Sequence, residues 1–249
     1  MKALIAGDYH DKPVKGDLDR LVELEKPTHL ISLGDYDIIK SIEEFVKIAK
    51  YCRRKGIVVI DVPGNHDHAV LHKINVRSPT LARSGSNILE LNEELEDNKT
   101  AKKYLENITQ LENIEKHLQI GKFSIAIVHG AYCGDISSLA GFFWDERFRD
   151  EKTHCMWYRL VCEASIRVNF EEMKKRNENL MIRGHDHMPL HGQLKKGCVS
   201  YDYLSYGGTV NLGPRSLHVI SPGAFCEGHY AILEETKKAQ LKVRYRKFY

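Results

Sequence analysis

The chain has 249 residues, and its 37 Lys and Arg side chains nearly balance its 34 Asp and Glu side chains, which leaves a formal net charge of +3. Hydrophobic residues make up 42% of the sequence and charged residues 29%, which is typical of an ordinary globular protein. This composition excludes disordered, collagen-like and low-complexity architectures, and the near-neutral charge argues against a polyanion as the main partner.

The first third of the sequence alternates between buried strands and amphipathic helices. Apolar runs at 2–7, 28–34 and 57–64 each end at a glycine, as expected for buried parallel strands. Helical spacing of apolar residues follows at 17–26 and 41–56. This order, with short connections, predicts right-handed crossovers and a parallel sheet.

The pattern changes after the third predicted strand. Residues 92–118 are highly charged and predict a helical insertion, either on the surface or as a pair of short helices. Residues 131–160 are irregular and aromatic, which predicts a cap rich in loops. Further strands are expected at 122–130, at 179–184 and in four segments from residue 205 onward.

A single α/β domain over residues 1–249, with two stacked sheets of which the second is mostly antiparallel, fits this order best. The N-terminal sequence lacks the apolar core of a secretory signal, and no stretch approaches the roughly 18 apolar residues of a membrane span. The six cysteines form no CxxC pair, which is typical of reduced packing residues. We therefore expect a cytoplasmic protein without a membrane partner.

Five short polar strings share one property, because each begins where a buried strand ends. They are GDYH with Asp8 and His10, LGDYD with Asp35, PGNHD with Asn65, His66 and Asp67, VHG with His129, and RGHDH with His185 and His187. The carboxyl ends of parallel strands meet at one edge of a sheet, so these side chains are expected to converge. Carboxylate, imidazole and amide ligands without a thiolate favour a hard-to-borderline metal ion.

Chance recurrence separates the informative strings from the others. A shuffled chain of this composition would contain a DxH string about 0.7 times, but GHxH only about 0.05 times and GNHD about 0.002 times. The alternative is that these histidines have only a structural role in loops or in the core. It is disfavoured because the GHxH and GNHD strings are rare by chance and because all five strings follow strands.

In their order and spacing, the five strings resemble the motifs of the calcineurin-like metallophosphoesterase superfamily. The resemblance implies a two-layer β-sandwich of mixed sheets, flanked by helices, with two divalent metal ions at the motif edge. It implies that His66 is a non-ligand histidine beside the substrate. The ligands that it implies are Asp8, His10 and His187 for the first ion, Asn65, His129 and His185 for the second, and Asp35 as the bridge.

The chemistry that suits such a centre is phosphoester hydrolysis. Two cations about 3.5–4 Å apart can share a bridging hydroxide near neutral pH, which attacks phosphorus in line. The leaving alkoxide then needs a proton, for which His66 is the natural donor, with Asp67 beside it to orient the ring and keep it cationic. Manganese is the favoured metal, with iron, zinc, cobalt or nickel as alternatives.

Other polar residues near these strings have weaker signals. Arg159 and His154 lie in the predicted cap and are candidates for contact with the substrate, Arg159 as a clamp on a phosphate group. The alternative for this segment is an aromatic core with a neighbouring surface charge.

Four more residues lie close to the strings in sequence. Asp37 is either a partner of a metal ligand or an ordinary loop or cap residue. His68 and His191 are more typical of surface histidines. Arg183, just before the GHDH string, is expected to form a structural salt bridge.

The sequence therefore predicts a dinuclear metal-dependent phosphohydrolase that cleaves a phosphomonoester or a small phosphodiester. A protein Ser/Thr phosphatase-like enzyme is one alternative, but the GDxxDRG string typical of that branch is replaced by GDYDIIKS, with Ile39 in place of the phosphate-binding arginine. A metal-dependent nuclease would need a basic groove, and nucleic acid is not the expected partner. A non-catalytic binding scaffold is disfavoured because every implied ligand is present.

Overall fold

The computed structural model describes residues 1–74, 87–132, 155–160, 162–204, 207–236 and 240–248. Most of the predicted cap, with its candidate His154, lies outside the described residues. No helix in the described part of the chain combines the length and the apolar character that crossing a membrane requires.

The strands of the described residues form two mixed sheets of six strands each. In chain order the strands are β1 (Lys2–Ala6), β2 (His29–Ser32), β3 (Val58–Asp61), β4 (Glu115–Ile120), β5 (Phe123–Val128), β6 (Leu180–Ile182), β7 (Leu190–Lys195), β8 (Cys198–Tyr203), β9 (Gly208–Leu212), β10 (Leu217–Ser221), β11 (His229–Glu235) and β12 (Leu241–Lys247). The first sheet has the order β3-β2-β1-β11-β12-β9, and the second has the order β4-β5-β6-β10-β7-β8.

Parallel pairing is confined to the middle of each sheet and to one edge. In the first sheet β1, β2 and β3 are parallel, and in the second sheet β6 is parallel to both β5 and β10. All other neighbouring strands are antiparallel. The carboxyl ends of β1, β2 and β3 thus lie along one edge, and those of β5 and β6 lie along one edge of the facing sheet.

The helices cover the outer faces of the sandwich. In the described residues they are α1 (Lys15–Glu25), α2 (Ile39–Arg54), α3 (Asn65–His72), α4 (Ile88–Asp97), α5 (Lys99–Ile108) and α6 (Glu163–Lys175). The first five pack in one apolar cluster with the outer face of the first sheet, and α6 packs on the second sheet. The predicted two-layer sandwich of mixed sheets flanked by helices is confirmed.

Side chains alternate between the two faces along each strand, so one sheet contributes to the hydrophobic core on both of its sides. Ala3 and Ile5 of β1 belong to the cluster between the sheets, whereas Leu4 belongs to the cluster under the helices. Successive side chains of a strand point to opposite faces, so a continuous apolar run is needed where both faces are covered. All three residues are fully buried.

The predicted helical insertion at 92–118 is only partly correct. The helical part consists of α4 and α5, but residues from Glu115 onward form β4. This strand pairs with β5 through a tight turn in which Ile120 lies opposite Phe123, and Gly121 has a φ of 54°. A glycine in this conformation suits a two-residue hairpin turn, which outweighs the helical preference of the charged segment. Strands β7 and β8 were not anticipated.

Phe45 of α2 lies in the core beneath the loops that follow β1 and β2, so its replacement tests how much this core contributes to stability. Its ring centroid lies 5.0 Å from that of Tyr36 and 6.0 Å from that of Tyr9, and the side chain is fully buried. We expect Phe45→Ala to lower the free energy of unfolding by about 3–5 kcal/mol, because the residual cavity cannot collapse completely. Urea denaturation of the variant measures this change.

The exposed Lys47, on the same helix, provides the matched control. Its replacement by alanine should change stability by less than about 0.5 kcal/mol. Equal effects of the two substitutions would show that the aromatic cluster contributes little to folding.

Candidate active site

The polar strings converge where the two sets of parallel strands end. Asp8 and His10 follow β1, Asp35 follows β2, and His129 follows β5. Asn65 begins α3 directly after the β3 loop, and two further histidines, His185 and His187, follow β6. Apart from His187, each of these side chains is at least nine-tenths buried.

One group of candidate ligands contains Asp8, His10 and His187. Each residue places one ligand atom within 4.8 Å of the others. The Nε2 atoms of His10 and His187 lie 2.9 Å apart, and Oδ1 of Asp8 lies 3.8 Å from Nε2 of His187. Imidazole and carboxylate ligand atoms gathered this closely are typical of a site for a divalent ion.

A second group contains Asp35, His129 and His185, again with ligand atoms within 4.8 Å of one another. Nε2 of His129 lies 3.2 Å from Oδ2 of Asp35 and 3.0 Å from Oδ1 of Asn65, so the asparagine joins this group. The two groups are adjacent, because Oδ1 of Asp8 lies 4.0 Å from Nε2 of His129.

Hydrogen bonds at the outer side of the second group leave ring nitrogens available to a metal ion. Nδ1 of His129 donates to the carbonyl of Leu33, which leaves the lone pair on Nε2. Nδ1 of the buried His185 has no hydrogen-bond partner in the described residues, although its Nε2 lies 3.2 Å from the Trp157 carbonyl. An orphaned buried nitrogen beside a carboxylate and an amide oxygen fits a divalent metal ion.

The backbone positions most of these ligands through an unusual conformation. The site contains three triplets of consecutive residues in which the first and third residues have a positive φ. They are Asp8 (55°) and His10 (50°), Asp35 (61°) and Asp37 (50°), and His185 (72°) and His187 (60°). This conformation costs a non-glycine residue on the order of 1–3 kcal/mol and is concentrated at functional sites. The surrounding contacts must therefore hold the triplets in place.

The central residue of each triplet is an anchor in the protein interior. Tyr9 and Tyr36 are fully buried, with stacked rings whose centroids are 5.0 Å apart. The Tyr36 hydroxyl also hydrogen-bonds Ser32 at 2.6 Å. In the third triplet Asp186 pairs with the fully buried Arg183, which confirms the predicted structural salt bridge.

Asp67 has a different role from the one predicted for it. Its carboxylate accepts hydrogen bonds from the backbone N–H groups of Gly64, Asp35 and Tyr36, at 2.8, 2.9 and 3.0 Å. Because Asp67 lies in the first turn of α3, its side chain folds back toward the unpaired N–H groups at the helix start. The prediction that it orients the His66 ring is wrong, because Asp37 holds that ring, but its charge does raise the pKa of His66. Its hydrogen bonds fasten the loop after β2 to the start of α3.

Asp37 orients His66, a role that the sequence left open. Oδ1 of Asp37 lies 2.6 Å from Nδ1 of His66, and Oδ2 lies 2.8 Å from Nδ1 of His10. Burial lowers the pKa of His66, but the charges of Asp35 and Asp37 outweigh it and raise the pKa to about 10. One buried carboxylate therefore holds both a ligand ring and a second, protonated ring next to it.

The remaining candidates lie at the margins of the site. Nη1 of the half-exposed Arg159 donates to the His185 carbonyl at 3.0 Å and lies 3.9 Å from Asp186, so its charge is adjacent to the second group. His68 packs against His72 on α3, and His191 lies 3.2 Å from His218. Neither His68 nor His191 joins a metal-ligand group among the described residues.

The sequence matches the family model of the calcineurin-like phosphoesterase superfamily domain over residues 1–238. The chain belongs to this superfamily. The family resemblance of the five strings is thereby confirmed. A search of curated proteins finds no match.

Two solved structures of the same fold illustrate this relationship. A hypothetical protein from Pyrococcus horikoshii OT3 superposes with a TM-score of 0.59 at 15% identity, over 99% of this chain and 87% of the other. A protein serine/threonine phosphatase from Saccharomyces cerevisiae superposes with a TM-score of 0.54 at 12% identity, over 100% of this chain and 80% of the other. At such identities the likeness shows the fold alone.

The Asp37–His66 pair yields a prediction for the metal-free chain. Asp37→Asn removes one of the carboxylate charges that raise the pKa of His66, so this pKa should fall from about 10 toward its ordinary value. Titration of the ring nitrogens by NMR measures this pKa. The control is Asp11→Asn, at an exposed position in the loop after β1, and it should leave the pKa of His66 unchanged. An unaltered His66 pKa in Asp37→Asn would contradict the pairing.

Proposed function

We propose that this superfamily member is a dinuclear metal-dependent phosphohydrolase that cleaves a phosphomonoester or a small phosphodiester. The observation that carries the proposal is the juxtaposition of two adjacent metal-ligand groups with the Asp37–His66 pair. The His66 ring centroid lies 5.1 Å from that of His10, so a proton donor stands directly beside the first group. This combination suits hydrolysis better than simple metal storage, which has no need for a positioned acid.

The ligand groups define which residues would hold the ions. Asp8, His10 and His187 would hold the first ion, and Asn65, His129 and His185 the second, with Asp35 shared between them. When bound, the ions neutralise charge on the phosphoryl oxygens and supply a nucleophile from water of lowered pKa. We propose manganese as the principal metal, with iron, zinc, cobalt or nickel as alternatives.

His66 supplies the proton that the leaving group needs. Its Nδ1 is engaged by Asp37, so Nε2 carries the proton that can be transferred to the departing alkoxide. The raised pKa keeps the ring protonated at neutral pH, while Asp37 fixes the direction of Nε2. Because Asp37 is 4% exposed, water does not compete effectively for its hydrogen bonds.

Arg159 is the candidate for holding the substrate phosphate. Among the described residues its guanidinium donates to the His185 carbonyl and lies 3.9 Å from the Asp186 carboxylate, and about half of the side chain is accessible. The remaining N–H groups can reach an anionic oxygen from solvent, in the forked geometry that suits phosphate. His154 stays a second candidate for substrate contact, without structural support.

The alternative function, that of a protein Ser/Thr phosphatase-like enzyme, lacks the phosphate-binding arginine of that branch. Ile39, where that branch has a phosphate-binding arginine, begins α2 and is 9% exposed within the apolar cluster under the helices. A buried isoleucine cannot bind an anion, so substrate binding must depend on other positions.

The test uses p-nitrophenyl phosphate and bis-p-nitrophenyl phosphate with added manganese. His66→Ala should lower kcat on the preferred ester by at least about 10²-fold, because the leaving group loses its proton donor. Elemental analysis should show that the variant keeps its metal content. His72→Ala, at the exposed end of the same helix, is the control and should retain full activity.

Two outcomes would count against the enzyme. No turnover of either ester by wild-type protein loaded with manganese would leave a metal-binding scaffold. Full activity of His66→Ala would show that His66 is not the proton donor.

Arg159→Gln should act on binding rather than on chemistry. Loss of a charge-assisted hydrogen bond to phosphate should raise KM about tenfold and leave kcat within about twofold. Arg167→Gln, which removes an exposed arginine paired with Glu163 on α6, is the matched control. An unchanged KM in Arg159→Gln would place the phosphate contact elsewhere.

A further inference from the structure

A second polar cluster lies on the outer face of the second sheet and shares no residue with the active site. We name it the β4 cluster, and it consists of Glu115, His117 and Glu178. Glu115 and His117 are two residues apart on β4, so their side chains leave the strand on the same face. Glu178 lies between α6 and β6, where its backbone N–H donates to the Met173 carbonyl at 2.9 Å.

The three side chains converge on one another. Nε2 of His117 lies 3.2 Å from Oε1 of Glu115, and Nδ1 of the same ring lies 3.2 Å from Oε1 of Glu178. One ligand atom from each residue lies within 4.8 Å of the other two. These residues come from two separate parts of the chain, which gives the cluster a fixed geometry rather than that of a mobile surface patch.

Glu178 provides an independent sign of a missing ligand. The residue is only 3% exposed, yet its Oε2 atom has no hydrogen-bond partner in the described residues. Burial and the charge of Glu115 raise the pKa of Glu178 to about 7. A buried carboxylate oxygen without a donor is costly, and a bound cation is one of the few ways to satisfy it.

The neighbouring residues satisfy Glu115 better than Glu178. Arg176 donates to Oε2 of Glu115 at 3.3 Å, and its guanidinium lies over the Tyr132 ring at 4.2 Å. The Tyr132 hydroxyl donates to Oε1 of Glu115 and lies 3.2 Å from Oε1 of Glu178, the oxygen that also faces His117. Both oxygens of Glu115 thus have donors, whereas Oε2 of Glu178 has none in the described residues.

We propose that the β4 cluster binds one divalent transition-metal ion through Glu115, His117 and Glu178. The side chain of His117 is 58% exposed, so the cation can enter from solvent and keep water in its remaining positions. Three ligands of imidazole and carboxylate type, with an open position, suit Zn²⁺ and its first-row neighbours. The ion would tie the edge strand β4 to the segment that leads into β6.

The test counts Zn²⁺ bound by the full chain after dialysis against micromolar free Zn²⁺. His117→Ala should bind one Zn²⁺ per chain fewer than wild type, and Glu178→Gln, which keeps the shape of the side chain, should show the same loss. His29→Ala, which removes a half-buried strand histidine of the first sheet, is the matched control and should match wild type.

The design separates this site from the active site. In an Asp35→Asn background, where the dinuclear centre is weakened, His117→Ala should still remove one Zn²⁺, and it should leave phosphoesterase activity of the otherwise wild-type chain unchanged. Wild-type stoichiometry in both His117→Ala and Glu178→Gln would overturn the proposal. The cluster would then be a histidine ring held between two carboxylates without a metal.

Discussion

The buried carboxylate of Asp37 accepts hydrogen bonds from two imidazole rings that have different tasks. His10 belongs to a metal-ligand group, and His66 is the proposed proton donor, yet both depend on the same two oxygen atoms. In a site of low dielectric such a shared partner couples the two rings, since a change in the charge of one alters the field at the other. The orientation of a ligand and the acidity of the donor are therefore set together.

The loops that carry this carboxylate are held by contacts in the GNHD string. Asp67 fastens the backbone of the preceding loop, and Gly64 makes room for it, because a Cβ on Gly64 would lie 1.9 Å from Oδ1 of Asp35. Between them lie Asn65, which joins a ligand group, and His66. Asn65 and His66 thus serve the chemistry of the site, whereas Gly64 and Asp67 allow the two loop backbones to approach each other.

Residues at strand ends could be predicted because the carboxyl ends of parallel strands lie along one edge of a sheet. Asp8 follows β1 of the first sheet and His187 follows β6 of the second, so the stacking of the two sheets, and not one sheet edge, brings them together. The partner of His66 could not be predicted in this way, since Asp37 reaches it only through a left-handed turn that the sequence pattern does not specify. The strand at Glu115 was missed because its pairing depends on a turn at Gly121, which outweighs local helical preference.

The three triplets of the site have a consequence for how the protein tolerates change. Their outer residues lie in the site, while Tyr9 and Tyr36, at the centres of two of the triplets, are stacked inside the helical layer. Packing inside that layer therefore also determines how the ligands are arranged. An engineer who repacks the hydrophobic interior for thermostability has least freedom at these two tyrosines, although both are fully buried.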